Sequence, residues 1–186
     1  MKIEVLDTTL RDGAQAEGVT LSIDDKAECI RLFDDLKIDY IEAGTPFANP
    51  KDKKLLCDDD VKTVNSHLVA FGSTRHKNNL TDEDSALNLL SLSKTQFVSV
   101  VGKSSVTQAE KVLQVSAQDN LKMIYDSIRF LCDRNKTVFY VTLSMAMSKK
   151  VLADIRLNYE KYFYDDLTLA KPSERDKAVV ELVVHF

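Results

Sequence analysis

Short apolar runs alternate with helix-like segments five times between Lys2 and Tyr140, and no other feature constrains the fold as much. Lys2–Asp7, Asp39–Ala43, His67–Gly72, Gln96–Val101 and Thr137–Tyr140 read as strands. Gln96–Val101 is almost continuously apolar, as expected of a strand covered on both faces. Between the strands, Ala27, Ile30, Leu32, Phe33 and Leu36 recur at helical spacing over Lys26–Leu36, with Ser22 and Asp25 placed as an N-cap and its reciprocal partner. Pro46 and Pro50 break the chain before a helix predicted over Asp52–Asn65, and Asp82 is the expected cap of a helix over Glu83–Leu92. Ser104–Val115 reads as partly helical, and Asp119–Cys132 as an amphipathic helix through Leu121, Ile124, Ile128 and Leu131. Strands joined by crossover helices predict a right-handed parallel α/β arrangement.

Length limits how far that arrangement runs. With 186 residues and 44% apolar content the chain can bury the core of one domain, whereas a complete (β/α)8 barrel takes roughly 250 residues. The expected fold is therefore α/β, a partial TIM (β/α)8 barrel of about five parallel βα units over residues 1–140. A divergent tail follows over residues 141–186, without a glycine. Leu152, Ile155, Tyr159, Tyr162 and Phe163 suggest a helix there, before an apolar VVELVVHF end.

A net charge of −4 and the lack of a basic stripe exclude a nucleic-acid surface. No apolar run reaches the roughly 18 residues of a membrane span. The amino terminus opens straight into a charged strand, and Cys29, Cys57 and Cys132 lie far from CxxC spacing. They read as buried thiols of a reducing compartment, so a cytoplasmic protein is expected.

The chemistry-bearing segment is DTTLRDGAQAEGV, Asp7–Val19, directly after the first strand. It packs Arg11, Asp12, Gln15 and Glu17 around two glycines. Arg and Asp at adjacent strand-end positions are costly unless paired or used, and together they suit a small anionic or metallic ligand. His67 and His76 show no HxH spacing and read as surface or capping residues, and His185 as incidental.

DTTLRDGAQ at Asp7–Gln15, EAG at Glu42–Gly44, NPKD at Asn49–Asp52 and AFGSTR at Ala70–Arg75 together resemble the citramalate synthase branch of the pyruvate carboxyltransferase-like, or DRE-TIM, metalloenzymes. That group also holds isopropylmalate synthase, homocitrate synthase and hydroxymethylglutaryl-CoA lyase. The resemblance covers the chain to about Tyr140. It implies condensation of acetyl-CoA, as an enolate, with a 2-oxo acid on a divalent metal (Mg, Mn or Zn), followed by thioester hydrolysis. In the citramalate branch the 2-oxo acid is pyruvate and the product serves isoleucine synthesis. The resemblance makes Asp12 a metal ligand and Arg11 the catalytic contact to the keto oxygen. Gln15, Glu42, Arg75 and Tyr140 become further candidate substrate contacts. From the residues alone, Glu42 is equally a structural carboxylate and Arg75 equally a solvated loop cation.

After Tyr140 the pattern departs. A YDAEH-like stretch and a later HxH pair belong to the family site, but here Val141-Thr142-Leu143-Ser144-Met145 follows. One carboxylate, Asp12, falls short of the three or more protein ligands of such a metal site. GTG ACG CTG AGC ATG encodes Val-Thr-Leu-Ser-Met, and the same bases from the third position encode Asp-Ala-Glu-His. A frameshift is therefore the expected origin of the tail, and the chain is expected to be an inactive N-terminal part of a barrel with weak or absent metal binding. Two rival readings stand beside it. One is a non-catalytic half barrel that associates with itself or another polypeptide through open sheet edges. The other is a DRE-TIM relative with lyase chemistry.

Overall fold

The computed structural model describes residues 4–58, 61–103 and 105–142, with side chains described as far as Phe139. Five strands form one sheet in the order β1-β2-β3-β4-β5: β1 Leu6–Asp7, β2 Tyr40–Gly44, β3 His67–Ser73, β4 Phe97–Gly102 and β5 Thr137–Thr142. Every neighbouring pair is parallel. The helices between them are α1 Ile23–Asp35, α2 Pro50–Lys53, α3 Ser85–Leu92, α4 Val106–Gln108 and α5 Ala117–Cys132. Consecutive parallel strands with a helical connection at each step are one side of a βα barrel.

Strand parity divides the residues between two faces. Ile41, Ala43, Ala70, Val98 and Val100 turn outward and pack with Ile30, Leu55, Leu56, Leu87, Leu90, Phe130 and Leu131 of the helical layer. Each of the larger side chains among them, fully withdrawn from water, contributes about 1.5–3 kcal/mol. On the opposite face, Tyr40, His67, Phe97 and Phe139 pack ring against ring at centroid separations of 4.7–5.6 Å, with Phe97 and Phe139 stacked and the other pairs edge to face or tilted. Glu42, Phe71 and Ser99 lie on that same face, further along their strands.

Several boundaries differ from the sequence expectations for identifiable reasons. The helix predicted over Asp52–Asn65 starts at Pro50, capped by the Asn49 side chain, and its helical part ends with a π turn at Lys54–Asp58. The backbone N–H groups of Val64, Asn65 and Ser66 donate instead to the Asp34 carboxylate at 2.7–2.9 Å, so that stretch is held to the end of α1 and not in a helix. Asp84, and not Asp82, caps α3: its Oδ1 accepts from Ala86 and Leu87, while its Oδ2 binds the His76 N–H. Of the first strand expected over Lys2–Asp7, Lys2 and Ile3 lie outside the described residues, Glu4 is not in the strand, and Val5 forms an isolated bridge before Leu6–Asp7.

Not every apolar residue of the helical pattern is buried. Ile30 and Phe33 pack on the sheet, but Leu32 and Leu36 form a separate i,i+4 stripe and are exposed. On α5 the buried face runs through Asn120, Met123, Ile124, Ser127, Phe130 and Leu131, which leaves Leu121 outside. Cys132 is exposed at the end of α5, in contrast to the buried thiol expected there, because it lies off that face. Cys29 and Cys57 are half-buried, and all three thiols are free.

Candidate active site

The β1–α1 connection is shaped by its own backbone. The Asp7 carboxylate accepts from the N–H and hydroxyl of Thr9, and the Thr8 carbonyl accepts from the N–H groups of Arg11 and Asp12. A 3-10 turn at Gly13–Gln15 follows. Gly18, at φ +81°, then takes a left-handed backbone that favours glycine. The reversal carries Arg11 across the C-terminal end of the sheet.

Arg11 is held there from three directions. Its Nε donates to Glu42 Oε2 at 2.5 Å, its Nη1 donates to Asp12 Oδ1 at 2.9 Å, and its guanidinium carbon lies 4.2 Å from the centre of the Phe71 ring. Glu42 is 1% exposed, and its other oxygen accepts a short hydrogen bond from the Ser99 hydroxyl. Residues from the β1 loop, β2 and β3 thus converge on one guanidinium, and Ser99 of β4 holds the Glu42 carboxylate that binds it. On the buried Glu42 side the ion pair is stronger than in water, and together with the Phe71 ring it orients the cation.

A cleft of about 220 Å³ opens beside it, walled by Arg11, Gln15, Thr45, Asn49 and Lys51, with the buried Lys26 and Asp52 also lining it. Of the residues singled out in the sequence, Arg11, Asp12 and Glu42 are in direct contact and Gln15 shares the cleft. Arg75 is elsewhere. Its Nη2 donates to Asp126 of α5 at 3.0 Å, its Nη1 to the carbonyls of His76 and Asn79, and it lines a second cavity of about 260 Å³ with Lys77 and Lys122. Tyr140 sits on β5 opposite Val100. Its side chain, and the tail over residues 143–186, lie outside the described residues.

Sequence reasoning missed Phe71 and Ser99. Each carried a signal: Ser99 is the one polar residue of the FVSVV run, and Phe71 lies two residues beyond the buried Val69 on the same face of its strand. Asp12, 45% exposed at its side chain, can offer an outer oxygen to a cation. Among the described residues, no three His, Cys, Asp or Glu side chains are grouped so as to hold a metal ion. Those residues alone do not fit a complete divalent site.

Comparison with known proteins bears on the family and the fold. The model of the HMGL-like family matches residues 2–162. An (R)-citramalate synthase of Sulfolobus acidocaldarius is 39% identical over 139 residues, 74% of this chain and 27% of that protein. An (R)-citramalate synthase of Aquifex aeolicus is 40% identical over 131 residues, 70% of this chain and 25% of its own. The chain therefore spans about a quarter of the length of these curated relatives. Among solved structures, the HMG-CoA lyase of Bacillus subtilis superposes with a TM-score of 0.59 at 18% identity, covering 76% of this chain and 46% of the lyase. That likeness concerns the fold.

Proposed function

The chain belongs to the HMGL-like family, and we propose that it carries the 2-oxo acid-binding half of a citramalate synthase-like reaction. In that reaction the methyl carbon of acetyl-CoA loses a proton and attacks the keto carbon of pyruvate. The keto oxygen becomes an alkoxide that takes up a proton, and water then releases coenzyme A from the thioester. The observation that carries the reading is Arg11, fixed by Glu42, Asp12 and Phe71 at the mouth of the sheet. A guanidinium already oriented toward the developing alkoxide stabilises it without reorganisation at the moment of reaction.

In this reading Asp12 braces the Arg11 guanidinium and would offer a single carboxylate to a divalent ion, short of the set such an ion needs. Gln15 and Tyr140 contact the substrate, and Glu42 holds Arg11. Arg75 is assigned to the rim, since its guanidinium is spent on Asp126 and two carbonyls. The named sequence relatives at 39% and 40% identity are synthases, which favours condensation over the lyase direction. The departure after Tyr140 is read as leaving this chain, by itself, able to bind a 2-oxo acid but not to turn over. Val141 and Thr142 complete β5; the chain beyond them is read as diverging from the barrel, and the setting as cytoplasmic isoleucine synthesis.

The test is pyruvate binding by calorimetry, with and without Mn²⁺, alongside release of free thiol from acetyl-CoA. Saturable pyruvate binding that Arg11→Lys abolishes, with no thiol release, is the expected result. Binding insensitive to Arg11→Lys overturns the site assignment, and robust thiol release overturns the assignment of an incomplete centre.

A further inference from the structure

A second ionic contact lies under the same cleft and outside the Arg11 cluster. Lys26 on α1 and Asp52 on α2 are 4% and 5% exposed. Lys26 Nζ donates to Asp52 Oδ1 at 2.5 Å and to the Ala43 carbonyl at 3.0 Å, and Asp52 Oδ2 accepts from the Thr45 N–H at 2.9 Å. The pair therefore grips the chain on both sides of Gly44. A Cβ at Gly44 would lie 2.3 Å from Asp52 Cγ, so the carboxylate can reach this backbone only because residue 44 lacks a side chain.

The grip falls where the sheet cannot supply it. The β2–β3 ladder pairs Glu42 with Val69 and then Gly44 with Ala70, so the register shifts across Ala43. Pairing alone does not set the backbone next to Glu42 at that point, and the ammonium of Lys26 takes the Ala43 carbonyl instead. Two charges withdrawn from water are a poor source of stability, and well-packed apolar residues of similar volume often serve as well or better. A purely cohesive role does not account for the pair. Nor does a direct chemical one, because both Asp52 oxygens are engaged and the charge of Lys26 is neutralised.

We propose that Lys26 and Asp52 are positioning residues: by holding the end of β2 at Ala43 and Thr45 they aim the Glu42 carboxylate, and through it the Arg11 guanidinium. The consequence for substrate rests on the 2-oxo acid reading above. The consequence for Arg11 does not.

The test uses the full 186-residue chain labelled with ¹⁵N, following the Arg11 Nε–H resonance, assigned by its loss in Arg11→Lys. The double variant Lys26→Met, Asp52→Leu removes both charges and leaves neither one stranded. Expected are a urea midpoint lowered by no more than the Thr45 N–H and Ala43 carbonyl left without these partners account for, and solvent exchange at Arg11 Nε–H faster by about tenfold or more. Pyruvate affinity should fall by about ten- to a hundredfold, the scale of a misplacement near an ångström. Glu42→Gln provides the reference spectrum for a released Arg11. An Arg11 resonance and exchange rate unchanged in the double variant overturn the proposal. Should the double variant not fold, Asp52→Asn, which keeps an acceptor for Thr45, decides by the same criterion. Absence of pyruvate binding by the unmodified chain would count against the functional reading, and the Arg11 spectrum would still decide this one.

Discussion

Arg11 and Glu42, separated by 31 positions in the chain, meet Nε to Oε2 at 2.5 Å on the barrel-interior face of the sheet, where the Glu42 side chain is 1% exposed and that of Arg11 13%. Removing one partner of so buried a pair leaves an uncompensated charge. Glu42→Ala should cost about 3–5 kcal/mol of stability. Glu42→Gln, which keeps the shape and an acceptor for Ser99, should cost less. Urea unfolding followed by circular dichroism measures both, and equal losses would contradict the role of the carboxylate charge.

Asp34 predicts an acid-sensitive contribution. Burial alone would raise its pKa, but the N–H donors of Val64, Asn65 and Ser66 outweigh it and hold the carboxyl below its ordinary value. A carboxyl depressed on folding stabilises the protein in full above the usual carboxylate range, and that stability is lost as pH falls through the folded value. Asp34→Ala should cost about 1–3 kcal/mol at neutral pH by stranding donors, and should flatten the acid limb of a stability profile measured from pH 7 downward. An acid limb identical in the variant would rule the contribution out.

Three glycines should respond differently to Ala. At Gly44 the new Cβ meets Asp52 Cγ at 2.3 Å, and Asp52 is locked by Lys26, so the cost should reach about 1–3 kcal/mol. At Gly72 the contact is the flexible tip of Leu90 at 2.4 Å, and the loss should be smaller. Gly18 has open space but φ +81°, so its cost is backbone strain alone, of about 1 kcal/mol. Thermal unfolding of the three variants should rank Gly44 first.

The start of α1 should depend on a reciprocal cap. The Ser22 hydroxyl accepts from the Asp25 N–H at 3.1 Å, and the Asp25 carboxylate accepts from the Ser22 N–H at 2.8 Å. Ser22→Ala should cost about 0.5–2 kcal/mol. Hydrogen exchange should speed up over the first turn of α1 and leave β4 unchanged.

The sequence alone determined the class of fold, because apolar periodicity reports which face of each segment leaves water, and that is a local property. It placed the five strands to within a few residues, the Ser22 cap, and the chemical character of the Arg11–Asp12 segment. It also marked Glu42 without separating a structural carboxylate from a functional one.

Tertiary structure decided what depends on chain segments meeting. Asp34 ended the α2 region early by taking the N–H groups of residues 30 and more positions away, and Arg75 went to Asp126, 51 residues on, in a different cavity from the Arg11 cluster. Ser99 reached Glu42 and Lys26 reached Asp52 by the same means. Hydrogen bonds and ion pairs are short-ranged and directional, so their partners are chosen by the geometry in which strands and helices close on one another. Hydrophobic burial is non-directional and roughly additive in area, and for that reason its pattern is written along the chain itself.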